Sequence, residues 1–402
     1  MRFLFYVEPV TFRFDPYFLR PWLIWIADMA RAQLDDDNPP TFAFMSSPWL
    51  CRSFSREFQN QIDIIPIRPA DVLAPFDMDR AAYGQDLAEP AGASIGNVPL
   101  QEALIAAVEA FRPDAVISFT QNRYLQRLKP NTNVFFTERQ PLPRLSGKGG
   151  FFLDNCGHQT ESLLVTQASR IRSLTLPESV SAGATSWWSN YFDDAVERHS
   201  DTPQIRDWIE AKSGGSPVVM LALQPPDWLT FEGLSTNTPL DGLLMRWLSQ
   251  VPHDWRAIAT YHAASRLPRA LEESIAEQFP HLLLLPEVWN QGHSELILDA
   301  VDAVATISSA VGFTALLSGK QVIALGRSNL SGLATPRLTE LNQAPSLTEP
   351  ERVNLLAFFT NFYCHDDHDI LSGRGYLTRT VSELIEGGID RYFEFPQSGA
   401  DC

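Results

Sequence analysis

The chain is poor in cysteine, in basic residues and in long apolar runs, and each shortage excludes a class of protein. Four cysteines in 402 residues, Cys51, Cys156, Cys364 and Cys402, form no CxxC pair and keep no regular spacing. A disulfide framework is therefore excluded, and reduced thiols in the cytoplasm are expected. The nearest candidate for a membrane span, Pro21 to Ala30, is bounded by Arg20 and interrupted by Asp28. It falls short of the roughly 18 to 20 uninterrupted apolar residues of a membrane span and reads as a buried helix. The opening Met1-Arg2 and the short apolar run that meets Glu8 are too brief and too charged for a secretory signal. The tryptophans still allow peripheral contact with the inner face of the cytoplasmic membrane. Lys and Arg total 31 against 48 Asp and Glu, a net charge of −17, and no basic run concentrates the cations. Nucleic acid is thus not expected as a partner, although a local pocket for a small anion is compatible with the charge.

What is present is an ordinary globular composition, 45% hydrophobic and 20% charged. At roughly 150 residues per domain the length suits two domains. Short β-rich runs at Phe3 to Val7, Phe42 to Met45, Asp63 to Ile67, Ala115 to Phe119 and Asn133 to Thr137 alternate with helical patterns such as Tyr17 to Leu34 and Leu100 to Phe111. After a polar stretch from Asp201 that ends in Ser213-Gly214-Gly215-Ser216-Pro217, the alternation resumes. Strands are expected at Val218 to Leu223, Trp255 to Tyr261, His281 to Leu285, Ala303 to Ile307 and Gln321 to Leu325. Pro350 to Tyr363 and Leu377 to Phe393 read as closing helices. The fold class is α/β, with two Rossmann-like domains facing a cleft in the GT-B layout. The expected limits are an acceptor domain over 1–205, a donor domain over 216–372, and a C-terminal helix over 373–402 that packs back on the first domain.

Several positions can carry chemistry. In Thr306-Ile307-Ser308-Ser309-Ala310-Val311-Gly312 a strand runs through two hydroxyl residues and a glycine into a helix, a geometry that suits a phosphate. The plainer reading is a serine N-cap. His262 follows the second strand of the second domain, where it either donates to a ligand or is held structurally. Glu287 sits after the next strand, as a ribose acceptor or as a solvated loop acid. Asp227, in the loop opened by Gln224, and Glu138, after the fifth strand, offer one carboxylate from each half. Taken singly, each also reads as a solvated loop acid. Asp154 and Gly157 form a tight turn with Asn155, Cys156 and His158. Cys364-His365-Asp366-Asp367-His368-Asp369 holds metal-ligand types, but without a distant second pair it reads as an acidic loop.

Four of these stretches resemble, in order and spacing, motifs of the bacterial β-Kdo glycosyltransferases of capsule and lipopolysaccharide assembly. Ser308 to Lys320 is similar to the family's Ser-containing turn followed by GFEALL and a Gly-Lys pair. Phe152 to Gly157 resembles its apolar-Asp-x-x-Gly stretch, Gln224 to Gly233 its glutamine-led loop, and Glu138 with Arg144 its Glu-led motif ending in Arg. The resemblance implies a GT-B enzyme that moves Kdo from a CMP-Kdo donor to an oligosaccharide or lipid-linked glycan acceptor with retention, without a metal or other cofactor. It implies Asp227 as the nucleophile and Glu138 as a second catalytic carboxylate. His262, Ser308 and Ser309 would hold the CMP part. The chain departs from the family at Ala263, where proline follows the histidine, and at Thr314, which replaces the Glu of GFEALL. Those departures leave open another CMP-linked ulosonic acid or a UDP-sugar as donor, a sugar-nucleotide epimerase, and a non-catalytic glycan-binding subunit.

Overall fold

The computed structural model describes residues 1–10, 16–34, 39–58, 62–226, 238–372 and 375–395. Asp227, Cys402 and most of the glutamine-led loop lie outside the described residues. The first domain is built on a parallel sheet of β1 (Arg2–Tyr6), β2 (Thr41–Ser46), β3 (Asp63–Pro66), β4 (Ala115–Ser118) and β5 (Asn133–Phe136), in the order β3-β2-β1-β4-β5. After β5 comes a short strand, β6 (Gly150–Phe152). The second sheet is also parallel: β7 (Val218–Leu223), β8 (Arg256–Tyr261), β9 (Leu282–Leu283), β10 (Ala303–Thr306) and β11 (Gln321–Ala324), in the order β11-β10-β7-β8-β9. These are two Rossmann-like α/β units. In each, the strand order reverses beside the first strand, between β1 and β4 and between β7 and β10. That reversal opens a crevice beyond the strands' carboxyl ends.

Central strands of a parallel sheet are covered on both faces, so their sequences are apolar at nearly every position. In β7 all six residues, Val218 to Leu223, are buried. Side chains nevertheless alternate: Val219, Leu221 and Leu223 join the outer core of the second domain, while Val218, Met220 and Ala222 face the other way. In β1, Leu4 and Tyr6 join the outer core of the first domain, and Phe3 and Phe5 face inward. The two inward faces belong to one continuous cluster that also takes in Phe151, Phe152, Leu163, Phe358 and Tyr363. The domains therefore share buried apolar surface.

Two features lie beside the expected domain limits. The polar stretch after Asp201 is mostly a helix, Thr202–Ser213, whose Ile205 and Ile209 are buried. Arg206 of this helix pairs with Asp299 of the second domain, and Asp201 just before it lies 3.3 Å from His293. The break in regular structure comes at Gly214 and Gly215, with φ of +61° and +81°, values that favour glycine. The return to the first domain also begins earlier than 373. The helix Glu349–Phe358 runs into a π-helical turn, Phe359–Tyr363, and β12 (Cys364–Asp366) then pairs antiparallel with β6, His365 opposite Phe151. The acidic loop expected at 364–369 is thus corrected to a strand and the helix Asp367–Ser372. His365 is buried, its Nδ1 is 3.0 Å from the Tyr376 hydroxyl, and burial lowers it to a pKa of about 4. Among the described residues no group of three potential ligands is assembled for a metal, and no helix is long and apolar enough to cross a membrane.

Candidate functional site

The serine turn lies at the strand reversal of the second domain. Gln224 follows β7 directly, and Ser308 follows β10, the strand paired with β7. The Gln224 amide holds Ser308 twice: the Ser308 N–H donates to its Oε1 at 3.0 Å, and its Nε2 donates to the Ser308 hydroxyl at 3.1 Å, while the Thr306 hydroxyl also reaches its Oε1 at 3.4 Å. The Thr306 hydroxyl donates to the Ala222 carbonyl at 3.0 Å and accepts from the Ser309 N–H at 3.4 Å. Ser328, on the loop after β11, donates to the Ile307 carbonyl at 2.6 Å. The helix Val311–Leu317 that follows has no side-chain N-cap, so the serines are not its caps. Gly312 is closely packed: a Cβ there would lie 2.7 Å from Leu330 Cδ1 and 3.2 Å from Thr306 Cγ2. Ser308 and Ser309 remain partly exposed on this rigid turn.

On the neighbouring strand, His262 is anchored through its backbone N–H to the Leu223 carbonyl at 3.2 Å. Its Nδ1 accepts the Ala264 N–H at 3.0 Å. In the neutral ring the proton therefore sits on Nε2, which is the donor. Glu287 is placed differently. More than half exposed, it is paired with Arg266 at 2.8 Å, as a surface ion pair after β9.

In the first domain the chain after β5 folds against the segment around β6. Phe136 and Asp154 exchange two backbone hydrogen bonds of 2.8 Å, and the Phe152 N–H donates to the Glu138 carbonyl at 3.1 Å. Glu138 is half-exposed at 45%. Its Oε2 is 3.2 Å from Nε2 of the buried His158. Asp154, fully buried, does much more than form a turn. Its Oδ1 accepts the Cys156 and Gly157 N–H groups at 2.8 and 3.1 Å, and its Oδ2 accepts the Leu163 N–H at 2.8 Å and the Tyr363 hydroxyl at 3.1 Å. Burial pushes the Asp154 carboxyl up to about 6, against these hydrogen bonds, which lower it. A Cβ on Gly157 would lie 2.5 Å from Glu161 Cβ and 2.8 Å from the Glu161 carbonyl oxygen, so only glycine fits. Arg144 enters through its backbone: its N–H and that of Leu145 donate to the two oxygens of Glu295 in the second domain, 2.8 Å each.

A line of contacts joins the two halves. Gln159, next to His158 and held at φ +49°, accepts the Asn329 N–H on its Oε1 at 3.2 Å. Asn329 follows Ser328, which holds Ile307 beside Ser308. Glu138, His158, Gln159, the 326–331 loop, the serine turn and Gln224 are therefore one connected set. Three members of the interface, His158, Gln159 and Glu295, were not marked as site residues by the sequence. Only the proximity of His158 to the Asp154 turn signalled any of them.

No curated protein matches the chain at a significant level. Among solved structures, the β-Kdo 2,7 transferase of KpsC from Thermosulfurimonas dismutans aligns at 11% identity over 82% of this chain and 97% of its own, with a TM-score of 0.43. The β-Kdo 2,4 transferase of the same KpsC aligns at 14% identity over 64% and 86%, with a TM-score of 0.33. A putative UDP-N-acetylglucosamine 2-epimerase from Listeria monocytogenes aligns at 11% over 99% of both chains, with a TM-score of 0.33. Residues 273–362, which include the serine turn, match the model of the family described as capsule polysaccharide biosynthesis protein, and it is this family that the chain resembles.

Proposed function

We propose that the protein is a retaining glycosyltransferase that moves Kdo from CMP-Kdo to a growing surface polysaccharide. The observation that carries this reading is the connected set from Glu138 to Ser308, which puts a half-exposed carboxylate of one domain and the serine turn of the other on the same interdomain contact. The Ser308 and Ser309 N–H groups are already taken by Gln224 and Thr306. An incoming phosphate therefore draws on the serine hydroxyls and on the N–H groups of Ala310 and Val311, with the Nε2–H of His262 as a further donor. These groups offset the charge that builds on departing CMP, so no metal clamp is required.

In the first step a carboxylate oxygen of Asp227 attacks the anomeric carbon of Kdo. The bond from that carbon to the phosphate oxygen breaks, and CMP leaves with the electron pair. In the second step the acceptor hydroxyl attacks the same carbon, Glu138 takes the hydroxyl proton, and the bond to Asp227 breaks. Two inversions give net retention. The test is mass spectrometry of the protein mixed with CMP-Kdo and a defined acceptor, in the presence of a chelator. A peptide containing Asp227 that gains one Kdo residue, together with CMP release, supports the proposal. Thermal stabilisation by UDP but not CMP, without CMP release, overturns it.

A further inference from the structure

His158, which the transfer scheme does not use, is in contact with the proposed catalytic carboxylate of Glu138. We propose that His158 is a positioning residue that holds the Glu138 carboxylate through Oε2 and leaves Oε1 to receive the acceptor proton, an inference that rests on the transfer reading above. An ionised carboxylate can only accept, so the 3.2 Å contact requires the imidazole Nε2 to carry the hydrogen. The ring is buried at 6% side-chain exposure, and it lies nearly parallel to Phe152, 23° apart with centroids 6.2 Å apart. Phe152 in turn stacks on Tyr363 at 5.2 Å and 6°.

The segment that carries His158 is fixed on every side. Asp154 takes the Cys156, Gly157 and Leu163 N–H groups. Gln126 and Lys129 donate to the Cys156 carbonyl, and Lys129 also to that of Asn155. Gln159 is tied to Asn329 of the second domain. A donor held this firmly fixes a half-exposed carboxylate in one orientation without the entropy that a solvated glutamate would lose on each turnover. Arg139 is turned to Asp367 of the C-terminal segment at 2.8 Å, and both oxygens of Asp154 are occupied.

The test compares His158→Phe, which keeps the ring and loses the donor, with His158→Gln, which keeps an N–H donor without a titrating ring. Carbon-13 spectra of glutamate-labelled protein at one pH follow the Glu138 carboxylate directly, with Glu138→Gln used to assign its signal, and need no turnover. The expected result is a Glu138 carboxylate signal that moves in His158→Phe and stays close to wild type in His158→Gln. In the transfer assay, kcat is expected to fall about tenfold in His158→Phe with the KM for CMP-Kdo unchanged, and to recover in His158→Gln. A Glu138 carboxylate signal that is the same in all three proteins overturns the assignment. Wild-type protein that releases no CMP from CMP-Kdo refutes the transfer reading instead, and the carbon-13 spectra still decide the pairing.

Discussion

Glu295 of the second domain accepts the backbone N–H groups of Arg144 and Leu145 of the first, one on each carboxylate oxygen at 2.8 Å. This carboxylate satisfies the open N-terminus of the 3₁₀ turn Arg144–Ser146 across the domain boundary. Removing it leaves two N–H groups without their acceptor. Glu295→Ala is expected to cost about 1 to 3 kcal/mol. A lower melting temperature and faster proteolysis near residue 146 would register the loss; a melt identical to wild type would mean the contact contributes nothing.

Gln224 holds both ends of Ser308. In Gln224→Leu the turn loses three hydrogen bonds, two to Ser308 and one from the Thr306 hydroxyl, while the strands below keep their packing. CMP affinity measured by calorimetry is expected to fall about tenfold, the equivalent of about 1.4 kcal/mol. Ser309→Ala is expected to weaken CMP binding as well. Unchanged affinity in both variants would remove the turn from the nucleotide site.

Asp227→Asn is expected to abolish transfer, at least about a hundredfold in kcat, with CMP binding largely kept. Glu138→Gln is expected to slow the second step and let the sugar accumulate on Asp227, visible in the intact mass. Near-normal turnover by Asp227→Asn would take that residue out of the mechanism.

Glu8, just beyond β1, is buried and receives hydrogen bonds from the Tyr6 and Tyr83 hydroxyls and the Val10 N–H, yet burial raises its carboxyl to about 7. A raised acid favours the folded protein fully below the unfolded value near 4.5, and that contribution is lost as the pH rises through 7. His365, lowered to about 4, works the other way, and its contribution is lost as the pH falls below about 6.5. Between pH 6.5 and 8 the Glu8 effect remains, so the melting temperature is expected to fall over that window. The fall should be smaller in Glu8→Gln. An equal slope in both proteins would assign the pH dependence to other groups.

Legibility from sequence followed the range of the forces involved. The ten strands of the two parallel sheets were readable to within a few residues, because a strand covered on both faces is written as a local apolar run between turn residues. The Thr306–Gly312 turn was equally readable. That Gln224 holds Ser308, that the Arg144 backbone N–H meets Glu295, and that Glu138 meets His158 required knowing which strand ends lie side by side.

By itself the sequence determined the α/β alternation, the two-domain division and the serine turn, since each depends on hydrophobic periodicity and backbone chemistry within a dozen residues. Tertiary structure alone decided that Cys364–Asp366 is a strand, that the helix Thr202–Ser213 packs on the second domain, and that Glu287 pairs with Arg266 on the surface. The physical reason is that a short strand such as Cys364–Asp366 is stabilised only by the partner it meets, here Gly150–Phe152, more than two hundred residues earlier in the chain.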